Sequence, residues 1–160
     1  MKMEKDEFIE LVKELTVKPR AGFLATVNNK GNPEIRAIEN LRCPEIYDSH
    51  PANVIAEYTN NPLTVYICTT ASSLKMKQIS ENNNVAVYFS IPKEYKGVML
   101  EGKIEILDDE NFKKKIWHEN WITIFKKGKE DPDYMIIKLE PKRLKGYHHG
   151  RYEMDISEFK

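Results

Sequence analysis

The stretch LTVYICTTASSLKMKQI, residues 63–79, changes from a strand pattern to a helix pattern. The apolar run at 63–68 predicts a buried strand, and the pattern that follows predicts a helix over 73–82. The N–H groups at a helix start lack partners and the dipole is positive there, so hydroxyl residues and Lys75 at this point suit a bound phosphate. Two interpretations stay open, because Ser72 or Ser73 can equally be a plain N-cap.

The remaining segments extend this pattern into a chain of short strands with few helices. Further helices are predicted over 4–16, after Pro51 and over 109–126. Further strands are predicted at 22–27 and 33–38, which form a hairpin, and at 85–90 and 98–107, and the segments 134–141 and 143–148 supply one or two more. Six or seven strands with so few helices favour a closed or nearly closed antiparallel barrel over a doubly wound parallel sheet.

The length and the net charge of the chain limit the number of domains and the kinds of partner to be expected. The 160 residues are expected to form one domain over 1–160, and the 25 basic and 25 acidic side chains cancel, which gives no electrostatic reason to bind nucleic acid or a membrane. No apolar run is long enough to span a bilayer and the start MKMEKD is unlike a signal peptide, so a cytoplasmic location is expected. Cys43 and Cys68 have no metal-type spacing, and Cys68 is interpreted as a buried small hydrophobe.

Four segments, taken in order, resemble the pyridoxamine 5'-phosphate oxidase-like family of FMN-binding split β-barrels. They are GFLATV with GNPEIR at 22–36, TTASSLK at 69–75, VAVYF at 85–89 and LEGKIE at 100–105. The resemblance covers the chain from about Gly22 to Tyr147. It implies a mainly β antiparallel split barrel with flanking helices, and a homodimer that binds FMN at the interface between its subunits.

The same resemblance implies the site residues. The family's cofactor contacts fall on Arg36, Thr69, Thr70, Ser73 and Lys75. Arg36, Ser73 and Lys75 match phosphate contacts, and a guanidinium binds phosphate through forked, charge-assisted hydrogen bonds. Thr69 and Thr70 match positions beside the ribityl chain or the ring edge. The alternatives are an outward Arg36 paired with Glu34, and ordinary strand packing for Thr70.

Two departures from the family pattern argue against oxidation of vitamin B6. Several members carry a basic residue five positions after the strand arginine, where this chain has Leu41 with Arg42 beside it. The terminal segment 147–153 also lacks the Arg/His motif that holds the substrate phosphate in true pyridoxamine phosphate oxidases. The chain therefore looks more like the small flavoproteins of unassigned substrate in this superfamily.

The resemblance leaves the activity open. An FMN-dependent oxidoreductase would pass a hydride or an electron pair through the flavin between a reduced nicotinamide and an unknown acceptor. The alternatives are a non-catalytic flavin carrier or sensor, a relative that binds haem or a deazaflavin, and a purely structural protein. His148 or His149 would matter for haem, but neighbouring strand residues point to opposite faces, so no metal site is expected.

Two other features stay without an assigned role. Trp117 and Trp121, four residues apart on a predicted helix, are interpreted as core, with an aromatic lid over the flavin as the alternative. The irregular segment Arg42–Asn61 either shapes the mouth of a pocket or packs on the barrel.

Overall fold

A computed structural model describes residues 3–159 and shows a curled antiparallel sheet of seven strands with helices around it. The strands are β1 (Ala21–Val27), β2 (Pro33–Glu39), β3 (Val65–Thr70), β4 (Asn84–Ile91), β5 (Lys96–Ile106), β6 (Tyr134–Tyr147) and β7 (Arg151–Asp155). The helices are α1 (Lys5–Leu15), α2 (His50–Tyr58), α3 (Leu74–Glu81) and α4 (Glu110–Ile116). The split-barrel architecture predicted from the sequence is confirmed.

The order of strands leaves a slit in the barrel. The sheet runs β2-β1-β4-β5-β6-β3, with β7 paired to the second half of β6. The curl brings the two edge strands, β2 and β3, into contact with each other without pairing them. A β-bulge between Glu101 and Gly102 lies opposite Pro141 and lets β6 continue past the proline.

Two apolar cores lie on opposite sides of β3. The first fills the barrel, where Leu24, Val87, Leu100 and Leu144 lie next to one another across four strands and are fully buried. The second lies between β3 and the helical segments α2 and 110–125. Its largest members are the aromatic residues Tyr66, Phe112, Trp117, Trp121, Phe125 and Tyr134.

The outer face of β1 and β2 is also apolar. Phe23 lies opposite Ala37, and Ala25 lies opposite Ile35, all on the side away from the barrel core. Ile35 is 68% exposed and Phe23 is 42% exposed. We call these four residues the outer patch.

The predicted helix over 109–126 is wrong in its second half. α4 ends at Ile116 because Trp117 has an extended backbone, with φ −51° and ψ 132°. A short 3₁₀ helix follows at Glu119–Thr123, and the His118 ring accepts a hydrogen bond from its Asn120 N–H. Trp117 and Trp121 still touch edge-to-face, with ring centroids 5.9 Å apart, and both are buried, so their assignment to the core is confirmed.

Other boundaries also differ from the prediction. The strand predicted at 63–68 covers Val65–Thr70 instead. The Thr64 carbonyl, just before the first residue that pairs with β6, accepts a hydrogen bond from the Arg42 side chain. The segments at 134–148, predicted to supply one or two strands, form one, and β7 is a strand that the sequence did not predict. His148 and His149 lie in the turn after β6 rather than on a strand, with ring centroids 4.6 Å apart, so the expectation that they face opposite ways is wrong.

Within residues 3–159, no helix has both the length and the apolar character that crossing a membrane requires.

Candidate functional site

The candidate site is a groove at the slit between β2 and β3. Its volume is about 260 Å³. It is lined by Ala37, Ile38 and Glu39 from β2, Cys68, Thr69 and Thr70 from β3, Lys75 from α3, and Trp121, Ile124 and Phe125 from the segment after α4. Each edge strand pairs with a neighbour on one side only, so the free edges of both strands border this groove.

A larger cavity of about 460 Å³ lies on the outer side of β1, β4 and β5, between Ala25, Ala86 and Arg143. None of the five predicted site residues lines it, whereas three of them line the groove. The groove is therefore the better candidate for the chemistry that the sequence predicts.

The start of α3 offers one free hydroxyl beside the groove. Ser73 occupies the N-cap position, yet its side chain caps no N–H group, and its Oγ is buried without a hydrogen-bond partner. Ser72 differs, because its N–H and Oγ bind the Asp133 carboxylate at 2.7 and 2.9 Å. The interpretation that one of these serines is the N-cap is confirmed for the position of Ser73, although its side chain makes no capping hydrogen bond. A buried hydroxyl without a partner is unfavourable in the free protein, so Ser73 is suited to a ligand.

Lys75 places an unpaired positive charge in the groove. Its ammonium donates a hydrogen bond to Thr69 Oγ1 at 2.8 Å, and no carboxylate among residues 3–159 forms an ion pair with it. Burial lowers the pKa of Lys75, and the nearby charge of Arg36 lowers it further. A partly buried cation beside a second cation is electrostatically unfavourable until an anion binds.

Arg36 faces inward, on the side of the barrel core. It lies opposite Leu24 and donates to Thr26 Oγ1 at 2.6 Å, to Gln78 Oε1 at 3.1 Å, and to the carbonyls of Glu34 and Leu24 at 3.0 and 3.3 Å. The Glu34 carboxylate is 3.7 Å away. The alternative of an outward arginine is thus wrong about the direction of Arg36, whereas the ion pair with Glu34 that it predicted is present.

These contacts make Arg36 the centre of a polar network that joins α3 to the β1–β2 hairpin. The amide of Gln78 in α3 donates to Glu34 at 2.7 Å, and the Thr26 hydroxyl donates to Gln78 at 2.6 Å. Both terminal nitrogens of the guanidinium already donate to acceptors within the protein. Arg36 therefore contributes mainly its positive charge to the site, rather than free hydrogen-bond donors. Its charge is close enough to Lys75 to lower the pKa of that lysine.

The two predicted threonines lie on β3 at the groove. Thr69 is buried and accepts the Lys75 hydrogen bond, whereas Thr70 is partly buried next to it. The structure therefore brings Thr69, Thr70 and Lys75 into one groove, whereas Ser73 at the N-cap of α3 and Arg36 in the polar network lie outside its lining.

Glu39 and its partner Tyr47 were missed by the sequence reasoning. Glu39 ends β2 and lines the groove, and its carboxylate accepts a hydrogen bond from the Tyr47 hydroxyl at 2.5 Å. Tyr47 belongs to the segment Arg42–Asn61, so this segment does contact the groove. No motif marks the pair, because Tyr47 depends on an irregular turn for its position.

Arg42 has a structural role here. It donates to the carbonyls of Thr64 at 3.1 Å and Asn61 at 2.6 Å, which fastens the chain just before β3. Leu41 is buried in the second core. The position that carries a basic residue in several family members thus contributes no charge to this groove.

Cys68 lies on the groove wall as a protonated thiol. Burial raises the pKa of Cys68, the negative charge of Glu39 raises it further, and Lys75 opposes both effects. The side chain is only partly buried, so the predicted core cysteine also faces the groove. Since the thiolate is the nucleophile, this cysteine is not activated.

Comparison with known proteins gives related sequences and folds. General stress protein 26 of Bacillus subtilis (strain 168) is 28% identical over 132 residues, which cover 79% of this chain and 78% of that protein. A crystal structure from Clostridium acetobutylicum, described as related to general stress protein 26, has a TM-score of 0.72 at 23% identity and covers 98% of this chain and 100% of its own. A heme binding protein from Mycobacterium smegmatis has a TM-score of 0.63 at 12% identity, over 94% of this chain and 59% of its own.

The two structural similarities show a shared fold. The family model described as "Pyridoxamine 5'-phosphate oxidase like" matches residues 42–149, which is more than half of the chain and includes β3, α3 and the lysine of the groove. The chain therefore belongs to the pyridoxamine 5'-phosphate oxidase-like family.

Proposed function

We propose that this protein is an FMN-binding flavoprotein that acts as an oxidoreductase on an unassigned small acceptor. The observation that carries the proposal is the pair at the start of α3: an unpaired Lys75 ammonium and a buried Ser73 hydroxyl without a partner. Lys75 lines the groove, and Ser73 adjoins it, since its N–H donates to the Thr70 carbonyl in the groove wall. An anion such as the FMN phosphate would give both side chains an acceptor.

The residues present fit FMN along its length. Ser73, Lys75 and the free N–H groups of α3 would hold the phosphate, and Thr69 and Thr70 would face the ribityl chain. Ala37, Ile38, Ile124 and Phe125 give the groove apolar walls for a flat ring. Bound FMN supplies two-electron chemistry, while the chain's own residues orient the ring and keep water from it.

A homodimer belongs to the same proposal. The outer patch exposes a row of apolar side chains, and Ile124, 61% exposed, adds another at the groove mouth. Apolar surface of this kind is typical of an interface, and a second copy of the chain would cover the patch by two-fold symmetry. We propose that the partner subunit also closes over the flavin ring.

Haem is the second candidate, suggested by the heme binding protein of Mycobacterium smegmatis that shares the fold. Its propionates would also suit Lys75. The iron, however, prefers a histidine or thiolate ligand. No histidine lines the groove, and the thiol of Cys68 has a raised pKa. These facts favour FMN.

The absorbance spectrum of the purified protein tests the proposal, with the cofactor released by heat and compared with FMN, FAD and haem standards. We expect a two-banded flavin spectrum and released FMN. Lys75→Ala should weaken FMN binding by about tenfold or more, through loss of a charge-assisted contact, and Lys77→Ala on the exposed side of α3 should not. Protein that takes up no added FMN overturns the proposal.

A second measurement separates an oxidoreductase from a flavin carrier or sensor. Under anaerobic conditions a reduced nicotinamide should bleach the bound flavin, and an electron acceptor should restore its colour. Flavin that stays oxidised with both reduced nicotinamides, in protein that binds FMN, argues for the non-catalytic alternative.

A further inference from the structure

The groove also holds a carboxylate that no cation neutralises. Glu39 forms no ion pair with any residue in the described part of the chain, although Lys75 lines the same groove. Both charges act on the Cys68 thiol, Glu39 raising its pKa and Lys75 lowering it. Glu39 is exposed and Lys75 is partly buried in the same groove, so a ligand lying along the groove would meet an acceptor at one place and a donor at another.

Tyr47 fixes the position of this carboxylate. Burial and the hydrogen bond to Glu39 raise the pKa of Tyr47 to about 12, so the hydroxyl remains a donor at neutral pH. The Tyr47 ring is itself held, with centroids 4.5 Å from that of His118 and 5.7 Å, edge-on, from that of Trp121.

The backbone around Tyr47 is strained. Tyr47, Asp48 and Ser49 all have positive φ, at 50°, 51° and 63°. This backbone conformation is unfavourable for residues other than glycine. The Ser49 hydroxyl donates to the Pro44 carbonyl at 2.6 Å and closes the turn. The fold thus retains an unfavourable turn that directs the Tyr47 hydroxyl to Glu39.

We propose that Glu39 recognises the ring of the bound ligand, and that its carboxylate, held by Tyr47, accepts a hydrogen bond from a ring N–H group. This inference rests on the proposed function. Oxidised FMN has one ring N–H, the imide group between its two carbonyls, and its phosphate lies at the other end of the molecule. An ionised carboxylate is an acceptor only, so it favours an N–H edge and disfavours an edge of acceptors or a second anion. Glu39 is then a binding residue and Tyr47 a positioning residue.

The test compares FMN with its N3-methylated analogue, which lacks the ring N–H, by fluorescence titration. Wild-type protein should prefer FMN by about tenfold, as expected for one hydrogen bond to a charged group. Glu39→Ala should bring the ratio of the two affinities close to one. Glu39→Gln should keep part of the preference, because the amide oxygen still accepts, and Tyr47→Phe should reduce it.

The ratio separates recognition from a general effect on folding, since a less stable protein loses affinity for both ligands alike. Glu45→Ala, which removes an exposed carboxylate near Arg20, is the control and should keep the wild-type ratio. A Glu39→Ala protein that prefers FMN as strongly as the wild type overturns the inference while leaving FMN binding intact. Wild-type protein that binds neither flavin overturns the proposed function, and this inference with it.

Discussion

At the scale of single residues, the groove is organised by charges that lack partners. Lys75 has one neutral acceptor, Thr69, and faces the like charge of Arg36, while most other lysines with described contacts lie near carboxylates. Keeping such a cation partly buried is unfavourable for the free protein. Its retention beside the unpartnered Ser73 hydroxyl is consistent with a site selected for binding an anion rather than for stability.

This arrangement predicts a pH-dependent contribution of Lys75 to stability. The folded pKa lies below the ordinary value of 10.5, so the unfolded chain binds this proton more tightly. The free energy of unfolding of the wild type, relative to Lys75→Met, should therefore rise with pH between the lowered pKa and about 10.5. Urea unfolding of both proteins from pH 7 to 10.5 measures the difference.

Lys77→Met removes a lysine from the exposed side of the same helix and is the control for that series. A difference between wild type and Lys75→Met that falls as pH rises would show that the charged lysine stabilises the fold, contrary to this prediction.

At the scale of elements, Arg36 joins α3 to the β1–β2 hairpin. The guanidinium, Thr26, Gln78 and Glu34 form a network in which most groups are at least partly buried. Arg36, which we propose adds positive charge near the phosphate, thus also has a structural role. A loss of FMN in an Arg36 variant would not by itself distinguish the two roles.

Arg36→Ala is expected to lower the free energy of unfolding of the ligand-free protein by about 1–3 kcal/mol, because buried acceptors lose a charged donor. Lys30→Ala in the exposed turn of the same hairpin should change it by less than about 0.5 kcal/mol. Chemical denaturation without FMN measures both. Equal stability of the Arg36→Ala protein and the wild type would show that the network is not stabilising.

The local sequence pattern predicted most of the helices and strands. It failed where contacts between distant residues determine the path of the chain. The hairpin, α1, α3 and the central strands follow from period and turn residues. The period of 109–126 suggests one helix, yet the chain turns at Trp117, whose indole N–H then donates to Glu119. The residues of the site differ in the same way. Lys75 and Ser73 belong to a recognisable strand-to-helix motif. The carboxylate of Glu39 is positioned by Tyr47, and an irregular turn and the distant Trp121 hold Tyr47 in place.

At the scale of the whole molecule, the curl of the sheet creates the site. β2 and β3 are far apart in the order of strands and meet only because the barrel nearly closes. The resulting slit combines residues from the hairpin, the strand-to-helix stretch 63–79 and the segment after α4. The outer patch shares Ala37 with the groove lining, so a partner bound there would lie close to the groove.

The exposed apolar residues of the outer patch lead us to predict a dimer, and a single charged substitution in the patch should disrupt it. Wild-type protein should sediment as two chains, and Ile35→Glu should sediment as one and bind FMN more weakly, because a charge is placed in an apolar interface. Ile106→Glu is the matched control, since Ile106 is 59% exposed but lies outside the patch. A dimer that persists in Ile35→Glu would place the interface elsewhere.

The most direct measurement is a calorimetric titration of ligand-free protein with FMN and with riboflavin, which differ only in the phosphate. If Ser73 and Lys75 hold that phosphate, FMN should bind at one per chain and about tenfold or more tighter than riboflavin, and Lys75→Ala should remove most of the difference. Equal affinity for the two flavins, or no binding of either, would contradict the assignment of the groove as an FMN site.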